Sequence, residues 1–145
     1  MGYYVHIINS NARIPAANLN RAYEKMCALN TTHHNQKRGG SHENGKKVAS
    51  WFSWMDANYP ETCKDAQAVL EMLGFDTVYD TNGDLLITAY DSKTGQEDLF
   101  LKAIEMDGLG KIKWKGEDGA RWTTEFLGHT VLTEEKRGLY LRLRY

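Results

Sequence analysis

Between the runs FDTVYD and LLITAY the chain reads TNGD, and the pair Asn82-Gly83 is what a tight reversal between two antiparallel strands selects. Such turns need left-handed backbone, which glycine and asparagine adopt with little steric penalty. A hairpin in mid-chain excludes an all-helical fold and a wholly parallel sheet. From the glycines at 108 and 110 onward the same signature repeats, in the runs KIKWK, RWTTEF, HTVLT and LYLRLRY. Gly116-Glu117-Asp118-Gly119, Gly128 and Gly138 punctuate them, predicting a C-terminal meander of up to four strands. In the last run Leu139, Leu141 and Leu143 alternate with Arg142 and Arg144, so one sheet face is expected to meet water.

The opening GYYVHIINS is rich in β-branched and aromatic residues and reads as a largely buried strand. Pro15 then opens a helix whose apolar positions Leu19, Ala22, Tyr23, Met26 and Leu29 follow the i, i+3, i+4, i+7 rule, ending at Asn30-Thr31. A second helix is predicted from a capping box of Thr62 and Asp65, with Ala66, Val69, Leu70 and Leu73 inward and Gly74 closing it. A third starts from Thr94 and Glu97 and runs through Leu99, Phe100, Ala103 and Ile104. Helices before and between hairpins define an α+β fold, with about three helices on one face of a mostly antiparallel sheet. At 145 residues the chain is read as one domain, 1–145. Residues 31–50 hold few apolar side chains and three glycines, which predicts a long polar loop.

Net charge is −1, so no global field draws the chain to nucleic acid or an anionic surface, and such a contact needs a local patch. No run of about 18 apolar residues is present, and MGYYVHIINS lacks the basic and apolar regions of a leader. No membrane association is expected. Two cysteines are too few for a disulfide scaffold, and a reducing cytoplasm is the expected setting.

Four patterns carry candidate chemistry. Gly40, four residues, Gly45 and Lys46 match most of a phosphate-binding P-loop. Yet Lys47 stands where a magnesium-holding hydroxyl belongs, and neither a preceding buried strand nor a following helix is predicted. Lys37, Arg38, Lys46 and Lys47 make the same stretch locally positive, a candidate partner surface together with Arg142 and Arg144. Cys27, His33, His34, His42 and Cys63 are zinc ligands by type, but they lack the two-to-four-residue knuckle spacing, and the cysteines read more simply as small buried hydrophobes. Asp80 with Asp91 and Lys93 has the carboxylate–carboxylate–lysine composition of magnesium-dependent nucleases, although Asp91 also sits where a turn wants polar residues. The aromatics Trp51, Phe52, Trp54, Trp114 and Trp122 read as core rather than as a stacking or sugar site.

Several segments together, MGYY, IPA, WFSWM, NYPETCKDA, GDLLITAYDSKTGQEDLFL and a tryptophan–GEDG–tryptophan run, carry a resemblance spread over residues 1 to about 127. The chain resembles a family of small proteins encoded by phages, prophages and bacterial genomes. The resemblance implies a cytoplasmic setting and supplies no catalytic residues. The function expected is a non-enzymatic binding protein contacting a host macromolecule, with a host-takeover or anti-defence role implied by the resemblance alone. A host protein is the first partner expected and nucleic acid the second, with no cofactor. The alternatives are a magnesium-dependent nuclease at Asp80, Asp91 and Lys93, and a nucleic-acid-binding module using the basic loop and terminal arginines.

Overall fold

The computed structural model describes residues 3–33, 39–43, 46–51, 55 and 57–128. Strand β1 (Tyr4–Ser10) leads into β2 (Arg13–Ile14), then a 3-10 turn at Ala16–Asn18 and helix α1 (Leu19–Thr32). Strands β3 (Gly39–Glu43) and β4 (Lys46–Ser50) precede the short helix α2 (Tyr59–Thr62) and α3 (Ala66–Leu73). Strands β5 (Asp76–Tyr79), β6 (Leu85–Ala89) and β7 (Asp91–Lys93) follow, then α4 (Glu97–Ala103), β8 (Leu109–Gly116) and β9 (Arg121–Leu127). This is an α+β protein with an antiparallel main sheet, as the turn and period signals predict.

The seven strands of that sheet merge into five rungs. β1 and β2 form one bent rung, because β8 pairs with both, while β7 and β6 pair with them in turn along the other side. The order is β5, β6–β7, β1–β2, β8, β9. Ser10 bridges the bend: its hydroxyl donates to the Ile87 carbonyl at 2.6 Å and accepts the Ala12 amide at 3.2 Å. Opposite it, the Lys111 amide donates to Asn11 Oδ1 at 2.7 Å. Gly110 makes that fit, with φ +91° and a position where a β-carbon would fall 2.5 Å from the Asn11 carbonyl oxygen.

One sheet face is apolar and covered. Val5, Ile14, Leu85, Ile87, Ile112, Trp114 and Phe126 are buried there and join a single core with Ala22, Met26 and Leu29 of α1, Val69 and Leu70 of α3, and Phe100 of α4. The inward residues of α1 and α3 are those their periodicity marked. Trp51 meets Phe100 edge-on at 5.4 Å, and Trp114 meets Tyr90 at 5.6 Å. Trp51 and Trp114 are therefore core, and Trp122, half-buried, stacks on Trp114 at 6.3 Å. Phe52 and Trp54 lie outside the described residues.

Several expectations change. The opening strand is only partly buried: Val5 is covered, whereas Tyr4, Ile8 and Asn9 are exposed, because only one face of β1 meets the core. The stretch read as a loop contains the β3–β4 hairpin, pairing Gly39 with Ser50 through Glu43 with Lys46. Thr62 does not cap α3; it ends α2, and Asp65 is the cap, its carboxylate accepting the Ala68 amide at 2.8 Å. The final runs HTVLT and LYLRLRY lie outside the described residues, so the meander is described as β8 and β9.

The third helix starts at Glu97, not at Thr94. Glu97 is buried, and its carboxylate takes the Thr94 hydroxyl and, at 2.6 Å, the Gly95 amide. Burial pushes this carboxyl above the usual range, and the two hydrogen bonds partly offset that. Thr94→Ala should therefore cost about 1–3 kcal/mol by stripping a donor from a buried carboxylate. It should also raise the pH at which Glu97 titrates. Because the folded pKa is already raised, Glu97 favours folding below its unfolded pKa of about 4.3, and that contribution is lost as pH rises. Urea melts across pH 3 to 8 should show a steeper loss of stability with rising pH in the variant, and an unchanged profile would refute the assignment. Gly110→Ala should be destabilised as well, by about 1–3 kcal/mol in the same melts, because it forces strained backbone against Asn11.

Candidate functional site

The outer face of the sheet is built by alternation. With Ile112 and Trp114 buried, Lys111, Lys113 and Lys115 must project from the opposite side of β8. Residues directly paired in an antiparallel ladder share a face, so the register shows which neighbours stand beside them. Lys115 pairs with Arg121 on β9 and with His6 on β1, and Lys111 pairs with Glu125. His6 pairs in turn with Asp91 on β7, and Tyr4 with Lys93. Across four rungs this face presents the cations Lys93, Lys111, Lys113, Lys115 and Arg121, with Asp91, Glu125 and, beside Tyr4 at its end, Glu117 as its carboxylates. A chain of net charge −1 thus gathers positive charge on one surface. Lys111, Lys113 and Arg121 are exposed, and Tyr4 is 47% exposed.

The register shift between Ile7 and Asn9 is a β-bulge in β1. Beside it opens a hollow of about 380 Å³ lined by Asn9, Asn11, Lys111 and Lys113. At the far end of β8, the Tyr4 amide donates to Glu117 Oε1 at 3.2 Å. The Tyr3 hydroxyl donates to Asp118, and this bond, joined by one from the Ala120 amide, holds the Asp118 carboxyl below its ordinary range. Gly116 leaves room for the Tyr3 ring, whose oxygen would lie 1.7 Å from any β-carbon added there. The β8–β9 turn is thereby clamped to the start of β1.

The residues singled out in the sequence distribute differently. Asp91 and Lys93 lie together on the outer face of β7, but Asp80 does not join them. Asp80 lies in the β5–β6 turn, where it accepts the amides of Asn82 at 2.8 Å and Asp84 at 3.0 Å and pairs with Arg13. Arg13 pairs across from Leu86, seven residues along the same rung from His6, which faces Asp91. That is roughly 20 Å along the strand. Partial burial would push the Asp80 carboxyl up, but the Asp84 and Asn82 amides and the Arg13 charge outweigh it and hold the group below its ordinary range.

Gly40 and Lys46 stand on facing strands of the β3–β4 hairpin, and a strand, not a helix, follows Lys46, so the backbone there is not that of a phosphate-cradling loop. Lys46, Lys47 and His42 are strand positions of that hairpin, with His42 paired to Lys47. His34, Lys37, Arg38, Arg142 and Arg144 lie outside the described residues. Cys63 is buried, its thiol directed at Met72 Sδ at 3.8 Å, and burial raises the thiol pKa of the half-buried Cys27. His33 follows α1, with Nδ1 at 2.8 Å from the Thr32 hydroxyl. Among the described residues, no three His, Cys, Asp or Glu side chains gather as a metal site would need.

The outer-face residues Lys111, Lys113, Lys115 and Arg121 were not among the sequence candidates. For the three lysines the signal was present in KIKWK, where lysine alternates with isoleucine and tryptophan. Among the described residues, the fold and this face define an α+β protein whose antiparallel sheet carries a basic outer surface. No family model, curated protein or solved structure matches the chain. Among the described residues, no helix is long and apolar enough to cross a membrane.

Asp80→Asn should lower the melting temperature at pH 7 through loss of the Arg13 pair. The wild-type advantage is present above the unfolded carboxyl pKa of about 3.9 and fades as pH falls through the lower folded value. Paired melts at pH 7 and below pH 3 should therefore converge under acid, and a constant gap would contradict the assignment.

Proposed function

We propose that the protein is a non-enzymatic binding module that grips a polyanionic macromolecule with the outer face of its sheet. One observation carries this reading: Lys111, Lys113, Lys115 and Arg121 project together from β8 and β9 while the chain as a whole is slightly acidic. Alternate residues on a strand lie about 6.6 Å apart, within the screening length of about 8–10 Å at physiological salt. The row therefore acts as one field rather than as isolated charges. Asp91 and Lys93 lie on this same face, so they belong with it more naturally than with a nuclease centre that Asp80 would have to complete. The resemblance to phage and prophage proteins supports a host macromolecule as the target, inside a bacterial cytoplasm.

Heparin-affinity chromatography of the full chain tests the reading. Wild-type protein should be retained at low salt and released as salt rises. Lys111→Ser with Lys113→Ser should elute at distinctly lower salt while melting as the wild type does, since both side chains are exposed. Replacing Lys37, Arg38, Lys46 and Lys47 with serine should have the smaller effect. A reversed order of the two variants would move the surface to the 37–47 segment, and no retention of the wild type would end the proposal.

A further inference from the structure

We infer that the polyanion taken by this face is a single-stranded nucleic acid, with its phosphates along the Lys111–Lys113–Lys115 row and a base stacked on Tyr4. The inference rests on the reading of the outer face as a polyanion site and narrows it by shape, spacing and aromatic exposure.

Shape argues against a duplex. The face spans four rungs from β7 to β9, three inter-strand spacings or about 14 Å before side chains are counted. The major groove of B-DNA is about 12 Å wide and admits a helix or a two-stranded ribbon, not a four-rung sheet. A duplex would meet this face only at its outer phosphates. A single strand can instead lie across the rungs with its bases splayed against them.

Spacing argues for a polymer of regular charge. The three β8 lysines recur at every second residue, a periodic array of cations that suits a repeating phosphate better than scattered carboxylates on a folded surface. A stable protein–protein interface would also want an apolar centre with aromatic anchors. Among the described residues, the exposed large apolar side chains on the β7–β9 part of this face are Tyr4 and, at the bulge, Ile8.

The remaining features suit nucleotides. Tyr4 is anchored through its backbone, its amide on Glu117 and its carbonyl accepting the Glu117 amide at 2.9 Å, while its ring stays exposed. The backbone beneath the ring is thereby held in place, and an exposed aromatic ring is the kind of surface on which a base stacks. The hollow at the bulge places the amide-bearing Asn9 and Asn11 beside two ammonium groups, and its volume of about 380 Å³ falls in the range of small-molecule sites. Amides there can bond the edge of an unstacked base while the lysines hold its phosphate.

Fluorescence anisotropy on the full chain tests this with four probes: labelled thymidine and uridine oligomers of about 15 nucleotides, a duplex of that length, and poly-glutamate. The single strands should bind more tightly than the duplex or poly-glutamate. Lys111→Ser with Lys113→Ser should reduce the slope of log affinity against log salt by about 1.4 for the single strands. Tyr4→Ala should weaken single-strand binding about tenfold and leave heparin retention unchanged, whereas Tyr4→Phe should bind as the wild type does. Thermal melts confirm that each variant is folded. Equal affinity for duplex and single strand, preference for poly-glutamate, or a Tyr4→Ala variant that binds normally would overturn the inference while leaving polyanion binding intact. Absence of salt-dependent binding to heparin and to every probe would overturn both.

Discussion

Burial of Trp114 is the constraint on which the rest of the structure depends. Its indole is 1% exposed, meets Tyr90 at 5.6 Å and Phe75 at 6.1 Å, and stacks on Trp122 at 6.3 Å. Its ring nitrogen donates to the Thr124 hydroxyl at 2.9 Å, so the polar end is satisfied as well. These contacts tie β8 to β9, to the junction of β6 with β7, and to the segment after α3. A strand shows alternate side chains to opposite faces, so fixing Trp114 and Ile112 inward sends Lys111, Lys113 and Lys115 outward. The core and the basic surface are two sides of one constraint.

Charge is used in two distinct ways. Asp107 is 1% exposed, with Arg21 Nε at 2.5 Å and Lys25 Nζ at 2.8 Å, and its backbone carbonyl accepts from Asn18 Nδ2 at 3.0 Å. Arg13 likewise binds Asp80 and lies 3.4 Å from Asp84. These pairs lock α1 to the segment before β8 and β2 to the β5–β6 turn, and leaving the buried Asp107 carboxylate without its cations is strongly destabilising. Lys111 and Lys113 of the outer face stand in water instead, where charges contribute little to folding and remain available for association.

Helix existence and the inward faces of α1 and α3 were legible because a 3.6-residue period survives in one dimension. Ala22, Met26 and Leu29, and Ala66, Val69, Leu70 and Leu73, are buried where that period puts them. Caps were less legible, because Thr62 and Asp65 both have a capping side chain and only the backbone shows that Asp65 is extended where the helix begins. The β3–β4 hairpin had a local signal that the P-loop letters obscured: Asn44-Gly45 lies between its paired strands, just as Asn82-Gly83 lies between β5 and β6.

By itself the sequence determined what is local: turns at the glycines, helices from spacing, and the alternation of lysine with isoleucine and tryptophan in KIKWK. All of these follow from steric rules acting over a few residues. Tertiary structure alone decided which strands became neighbours. That choice put Lys115 beside Arg121 and His6, brought Tyr4 level with Lys93, and held Asp80 away from Asp91. The physical reason is that register is set by burying apolar side chains drawn from distant parts of the chain. A surface made of residues 4 to 125 exists only after Val5, Ile112, Trp114 and Phe126 share one core.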